Sequence, residues 1–195
     1  MSVMHGAKVL MGKLLGAVHA GDDKLAANKV DGPPSIVVKS PAFGKGQAMA
    51  KKYTQEGENV SPPLSWTGIP MSAVELVLVV EDPDAPHPQP VLHWVAYHIP
   101  PQLTGLEEGV ATWPEVPVGV GPGKMMRQGQ NNSKKVGYTG PMPPLGHGVH
   151  HYHFQLFAVD RLLNLSDKPE REQLIEAMKG HVVAQGELVG TYERK

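Results

Sequence analysis

The strongest signal along the chain is the apolar run from Val74 to Val80, bounded by turn residues, which predicts a strand buried on both faces. Val91 to Ile99 and His150 to Val159 are two further strands, and Val182 to Tyr192 alternates well enough for a closing one. Ile36-Val37-Val38 is a shorter candidate, closed by Ser40-Pro41. Asp167 to Lys179 reads as a helix, with Ser166 or Asp167 as N-cap, Pro169 in the first turn and Gly180 past the end. Val9, Leu10, Leu14, Ala17 and Val18 recur at helical spacing, which predicts an amphipathic helix over residues 8–18. Its apolar stripe needs a cover, which is either the parent domain, a second copy in a homodimer, or more rarely a membrane surface. Residues 21–34 read as an arm ending in Pro33-Pro34, and residues 100–148 are dense enough in Pro and Gly to predict long ordered loops. The expected organisation is an N-terminal helix and arm over residues 1–34 and a single, mainly antiparallel β domain over residues 35–195.

Composition sharpens that picture. The chain of 195 residues holds 22 glycines and 19 prolines, an excess that favours many short strands and turns over a helical bundle. A net charge of −1 supplies no global basic field, so nucleic acid is not an expected partner. With no cysteine, disulfides, thiolate metal sites, thiol nucleophiles and redox pairs are excluded, and a reducing cytoplasm suits the chain. Lys8 and Lys13 break the N-terminal apolar run into pieces shorter than a signal core. The expected location is cytoplasmic.

Candidate chemistry gathers in three segments. In Glu81-Asp82-Pro83-Asp84-Ala85-Pro86 the prolines stiffen the turn after the buried strand, which holds a carboxylate in one place; the bland alternative is an Asx-type turn. The turn also makes Ala85–Pro86 a candidate cis bond. In the second segment, simple alternation puts His93, Val95 and Tyr97 on one strand face and Leu92, Trp94, Ala96 and His98 on the other. An aspartate hydrogen-bonded to His93 would fix the imidazole tautomer and favour its charged form. The third segment runs from Gly137 to Gly146 and on through His147, His150, His151, Tyr152 and His153. His151-x-His153 invites a metal reading, but the same face continues with Gln155 and Phe157 and no acid follows until Asp160, so no metal or other cofactor is expected. His150, Tyr152, Phe154 and Leu156 on the opposite face run from polar to apolar, as a pocket mouth gives way to core. A Gly/Pro-rich loop beside them can offer backbone N–H groups to a phosphate-like anion. None of the serines sits in a Gly-x-Ser-x-Gly elbow, and Gly121-Pro122-Gly123 lacks the Lys-Ser/Thr of a nucleotide loop.

Together these motifs resemble the phosphatidylethanolamine-binding protein family, closest to its bacterial branch of Raf kinase inhibitor-like proteins. The residues that carry the resemblance are Val79 to Pro86 with His93-Trp94, Gly-Tyr-x-Gly-Pro-x-Pro-Pro over 137–144, His-x-Tyr-x-Phe over 150–154, and Glu58 to Trp66. The resemblance implies an antiparallel β-sandwich with an anion pocket at one end. It matches Asp82 and His93 to a pocket aspartate–histidine pair, Asp84 to the second acid of Asp-Pro-Asp, and Tyr138 and Gly140 to an aromatic wall and a backbone donor. His150 and Tyr152 match the second imidazole and the hydroxyl at the mouth. Asn131-Asn132-Ser133 departs from the Asn-Asp plus aromatic of many relatives, and Met142 stands where some have glycine. The implied function is non-enzymatic binding of a phosphate-like or carboxylate anion, or of a phospholipid head group, with regulation of a kinase or protease as a further implication. The rival from another class is a small metal-dependent or acid/base hydrolase using the same His/Asp cluster.

Overall fold

The apolar run at the centre of the chain forms a strand with both faces covered, because a sheet packs on one side of it and a helix with an N-terminal segment on the other. A computed structural model describes Val9, residues 19–119 and residues 124–195. The strands are β1 (Val37–Lys39), β2 (Gln47–Ala48), β3 (Leu64–Thr67), β4 (Glu75–Asp82), β5 (Val91–Ile99), β6 (Gly105–Leu106), β7 (Glu115–Pro117), β8 (Met125–Gln128), β9 (His150–Val159) and β10 (Val182–Tyr192), with helix α1 (Arg171–Met178) between the last two. The large sheet has the order β2-β10-β9-β4-β5-β8-β7, and β1, β3 and β6 make a second, three-stranded sheet. Neighbours are antiparallel except that β2 runs parallel to β10, a mixed edge on an otherwise antiparallel design. The expected long loops between residues 100 and 148 thus contain three short strands that extend both sheets.

One apolar layer joins the sheets: Trp66, Leu64 and Val38 from the small sheet meet Leu76, Leu78, Val80, Trp94, Phe154 and Leu156 from the large one. The second layer covers the outer face of the large sheet, where Val77, Val79, Val95, Tyr97 and Phe157 pack against Leu174, Ile175 and Met178 of α1 and against Ala26 and Val30. Burying side chains of this size stabilises by about 1.5–3 kcal/mol each relative to exposure. Residues 20–34 are therefore an integral part of the packing rather than a free arm. Glu81 fastens them: its Oε2 accepts the Ala26 N–H at 2.9 Å and the Gln155 amide at 2.8 Å, while its Oε1 pairs with the Arg171 guanidinium.

The helix begins later than its capping pattern suggests. Pro169 disfavours helical geometry at Lys168. Asp167 is drawn instead to Arg127 at 2.9 Å, and the Ser166 carbonyl accepts the Tyr97 hydroxyl at 3.3 Å. Glu170 becomes the cap, its N–H donating to Gln173 Oε1 at 3.0 Å. Apart from Val9, the expected helix over residues 8–18 and its role in a dimer lie outside the described residues. No helix among the described residues is long and apolar enough to cross a membrane.

Candidate functional site

The stiff turn after β4 is closed by its own carboxylate. Asp82 Oδ1 accepts the N–H groups of Asp84 at 2.9 Å and Ala85 at 3.0 Å, an Asx-type turn that leaves Oδ2 free to reach across the sheet. The Ala85–Pro86 bond is trans, not cis as the tight turn suggested, because this side-chain closure suffices. Oδ2 receives the His150 Nδ1–H at 2.8 Å, and both side chains are buried. The partner of Asp82 is thus His150, not His93.

His93 reaches the same face by a backbone irregularity. Val80 pairs with Trp94 but Glu81 pairs with Leu92, so β5 carries one extra residue at His93. The bulge puts Leu92 on the outer layer with Val95, while Trp94 stays in the layer between the sheets; simple alternation had placed Leu92 and Trp94 together. The His93 ring stands edge-on to Tyr152, their centroids 5.2 Å apart. Its Nδ1 lies 2.6 Å from the Thr139 carbonyl, and the Thr139 N–H donates back to the His93 carbonyl at 3.0 Å. A carbonyl can only accept, so Nδ1 carries the proton and Nε2 is left as the free ring nitrogen. Burial lowers the His93 imidazole below its ordinary pKa and outweighs the opposing pull of the Asp82 charge. His93 is consequently held neutral, where the sequence suggested an aspartate-stabilised cation.

Two residues outside the expected site set complete the cluster. Asn131, buried in the turn before the Gly-Tyr loop, donates to the Gly137 carbonyl at 3.0 Å and to Thr139 Oγ1 at 2.9 Å. Its own carbonyl oxygen accepts the Ser133 N–H at 2.9 Å, so this one side chain anchors the loop that holds His93. The first asparagine of Asn131-Asn132-Ser133 was the available signal, since such residues bond local backbone. His147 is the second: its Nδ1 lies 2.6 Å from His150 Nε2, extending the Asp82–His150 pair by one imidazole.

Tyr138 and Gly140 serve the loop's attachment. The Tyr138 hydroxyl donates to the Tyr53 carbonyl at 2.7 Å and the ring packs edge-on against Trp94. The Gly140 N–H, expected to be open, donates to Asn59 Oδ1 at 2.8 Å. A Cβ at Gly140 would sit 2.2 Å from the Tyr53 carbonyl oxygen, so only glycine permits this approach. Asp84, at the rim, accepts both the backbone N–H and the Nδ1–H of His151 at 2.8 Å. His153 pairs instead with Glu187 at 2.8 Å, so the two histidines of His151-x-His153 are committed to different carboxylates. Burial lowers the His153 imidazole, but the Glu187 hydrogen bond and the charges of Glu187, Asp22 and Asp84 together outweigh it, and the net direction is upward.

What remains is unusual in a folded chain. Six buried side-chain polar atoms among the described residues have no hydrogen-bond partner, and three of them, His93 Nε2, His147 Nε2 and the Tyr152 hydroxyl, belong to this one cluster. Tyr152 lies in β9 beside His150, its ring nearly parallel at 6.4 Å, and burial followed by the Asp82 charge pushes its phenol far up, keeping it neutral. Leaving such groups unpaired costs about 1–3 kcal/mol each, so three in one cluster make it the candidate site of the described residues.

Fold and site together define a β-sandwich with a buried Asp–His–Tyr cluster at one end of its large sheet. The sequence profile of the phosphatidylethanolamine-binding protein family matches residues 39–193, and the chain belongs to that family. A UPF0098 protein of Pyrococcus horikoshii is 41% identical over 181 residues, covering 93% of this chain and 83% of that one. A UPF0098 protein of Methanothermobacter thermautotrophicus is 44% identical over 157 residues, covering 80% and 98%. Among solved structures, a phosphatidylethanolamine-binding protein homologue of Chlamydia trachomatis superposes with a TM-score of 0.72 at 36% identity, covering 83% of this chain and 99% of that one. Escherichia coli YbcL, described as a member of the mammalian family, gives 0.73 at 26% identity with the same coverage.

Proposed function

We propose that this protein binds, without turnover, a phosphate-like or carboxylate end group at the cluster of His93, His147, His150 and Tyr152, with Asp82 behind it. The observation that carries this reading is the group of three unpartnered buried polar atoms beside the Asp82–His150 pair. Both oxygens of Asp82 are already engaged, so it orients His150 rather than serving as a free base. Family membership supports a ligand of head-group size, since the family is described by the binding of phosphatidylethanolamine. Met142 and Val149, exposed on the loop that leads into β9, offer apolar contact to whatever carries the acidic group.

The probes are inorganic phosphate and O-phosphoserine, which present the same end group without and with an organic body. Calorimetric titration is expected to show binding that weakens tenfold or more in His93→Ala, which removes a free ring nitrogen, and in His150→Ala, which cuts His147 off from Asp82. A hydrogen bond to a charged group contributes about 1.5–3 kcal/mol. No binding of either probe, or unchanged affinity in both variants, overturns the reading. Turnover of a generic phosphomonoester would overturn its non-enzymatic part.

A further inference from the structure

The hydrogen-bond inventory of the cluster decides more than that something acidic binds. Asp82 accepts from His150 Nδ1, so His150 carries its proton there. His150 Nε2 and His147 Nδ1, 2.6 Å apart, share one proton between them. With His150 neutral that proton belongs to His147 Nδ1, and His147 Nε2 is a bare lone pair. His93, whose Nδ1–H is spent on Thr139, also presents a bare Nε2. In its neutral state the site therefore offers two nitrogen acceptors and a tyrosine hydroxyl, with a net charge of −1 from Asp82. Such a site repels an oxyanion that has no proton to give.

We infer that His147 makes this site selective for oxyacids that bring a proton, such as hydrogen phosphate or the singly protonated form of a phosphomonoester, over permanently ionised oxyanions such as sulfate. The proposal rests on the anion-binding reading above and narrows it: of the end groups named there it keeps the protonated phosphate-like ones and disfavours an ionised carboxylate. The ligand's O–H donates to His147 Nε2. If the proton crosses, the proton on His147 Nδ1 moves to His150 Nε2, and the resulting imidazolium faces Asp82 through the Nδ1–H already in place. The ligand becomes one unit more negative and the chain one unit more positive, so the total charge of the complex is unchanged. A sulfate ion can make neither move and would meet lone pairs.

Among the described residues the charged and titratable surroundings are few. Behind His150 stand Asp82 and, one step further along the face, Tyr152 and His93. From the C-terminal segment Arg194, paired with Glu56, reaches the Pro143 carbonyl, and its own carbonyl accepts the Gly146 N–H at 3.2 Å. At the rim Asp84 is held by His151, and Val9 packs against Gly146. Of these groups, the chain from Asp82 through His150 ends at His147.

The test compares inorganic phosphate and sulfate by calorimetry on the full chain between pH 6 and pH 7, at constant ionic strength. The wild type is expected to bind phosphate at least tenfold more tightly than sulfate, because a site built around specific hydrogen-bond partners rejects an analogue lacking them. His147→Gln, whose amide can donate, is expected to bring the two affinities within about twofold. His147→Phe, which removes the acceptor and supplies no donor, is expected to weaken phosphate tenfold and not to weaken sulfate. Equal binding of the two anions by the wild type, or a preference that survives both substitutions, overturns the inference alone. Absence of phosphate binding overturns it together with the functional reading on which it rests.

Discussion

Asn131 shows how much can hang on one side chain. It holds the Gly137 carbonyl, the Thr139 hydroxyl and two backbone N–H groups of its own turn, and Thr139 in turn fixes the tautomer of His93. Asn131→Ala leaves those groups unpaired and buried, so it is expected to destabilise the fold by about 2–3 kcal/mol in urea unfolding. It should also weaken phosphate binding, although Asn131 has no free donor for a ligand. Glu75 makes the opposite kind of contribution. It is buried near His98, its Oε2 has no partner, and burial pushes its carboxyl up to about 7 against the lowering effect of the Leu163 N–H. The folded state holds this proton more tightly than the unfolded one, so the stabilisation is full below the ordinary carboxylate pKa and is lost as pH rises towards 7. Glu75→Gln is expected to raise the melting temperature at pH 8, by the equivalent of about 2–3 kcal/mol, and to change little near pH 4.5. A gain that is the same at both pH values would contradict this account.

The elements are tied together by polar contacts that their sequences do not announce. Helix α1 supplies Leu174, Ile175 and Met178 to the outer layer, but Arg171 at its start is what joins the helix, β4 and the N-terminal segment through Glu81 and the Lys24 carbonyl. Glu81 is completely buried, so removing its cation leaves an uncompensated charge inside the protein. Arg171→Ala is expected to cost about 3–5 kcal/mol in denaturant titration. Arg171→Ala with Glu81→Gln should recover a large part of that loss, since the neutral amide can keep the Ala26 bond. At the same level, the bulge in β5 lets a strand that is apolar on both faces present one histidine among core residues of the inner layer. Its site role depends on the register of the neighbouring strand.

At the scale of the molecule, the N-terminal boundary needs care. Leu25, Ala26 and Val30 are buried, and Ala20 and Gly21 donate to the Pro83 carbonyl next to the site turn. A chain beginning at Ser35 is therefore expected to melt lower by roughly 10 °C or more, several kcal/mol at about 2–4 °C per kcal/mol for this size. A chain beginning at His19 keeps these contacts and is the proper comparison for self-association. Sedimentation of the full chain and of that shorter one should differ if residues 8–18 join two copies, and identical monomers would end the homodimer proposal. The outer ion pairs give a further check at this scale. His151→Ala and His153→Ala, whose partners Asp84 and Glu187 lie apart from the unpartnered atoms, are expected to leave phosphate affinity within about twofold, since they remove no contact from the cluster.

Much of this architecture is legible without coordinates. The strands Val91–Ile99, His150–Val159 and Val182–Tyr192 follow from apolar patterning, because a buried β surface demands it locally. Asp82, His150 and Tyr152 are candidate site residues from their place beside strand ends and from the family resemblance, and the structure brings their side chains together. What only the tertiary structure decided is which group each one faces. The bulge at His93 is a property of a strand pair, and the pairing of Asp82 with His150 depends on the alignment of β4 with β9. The role of Gly140 depends on a chain segment some eighty residues away. The late start of α1 has the same origin, since Arg127 and Tyr97 hold residues 166–167 out of the helix. Periodicity records the face a residue prefers. Hydrogen bonds between residues far apart in sequence decide its partner, its tautomer and its charge, and those exist only once the sheets have closed.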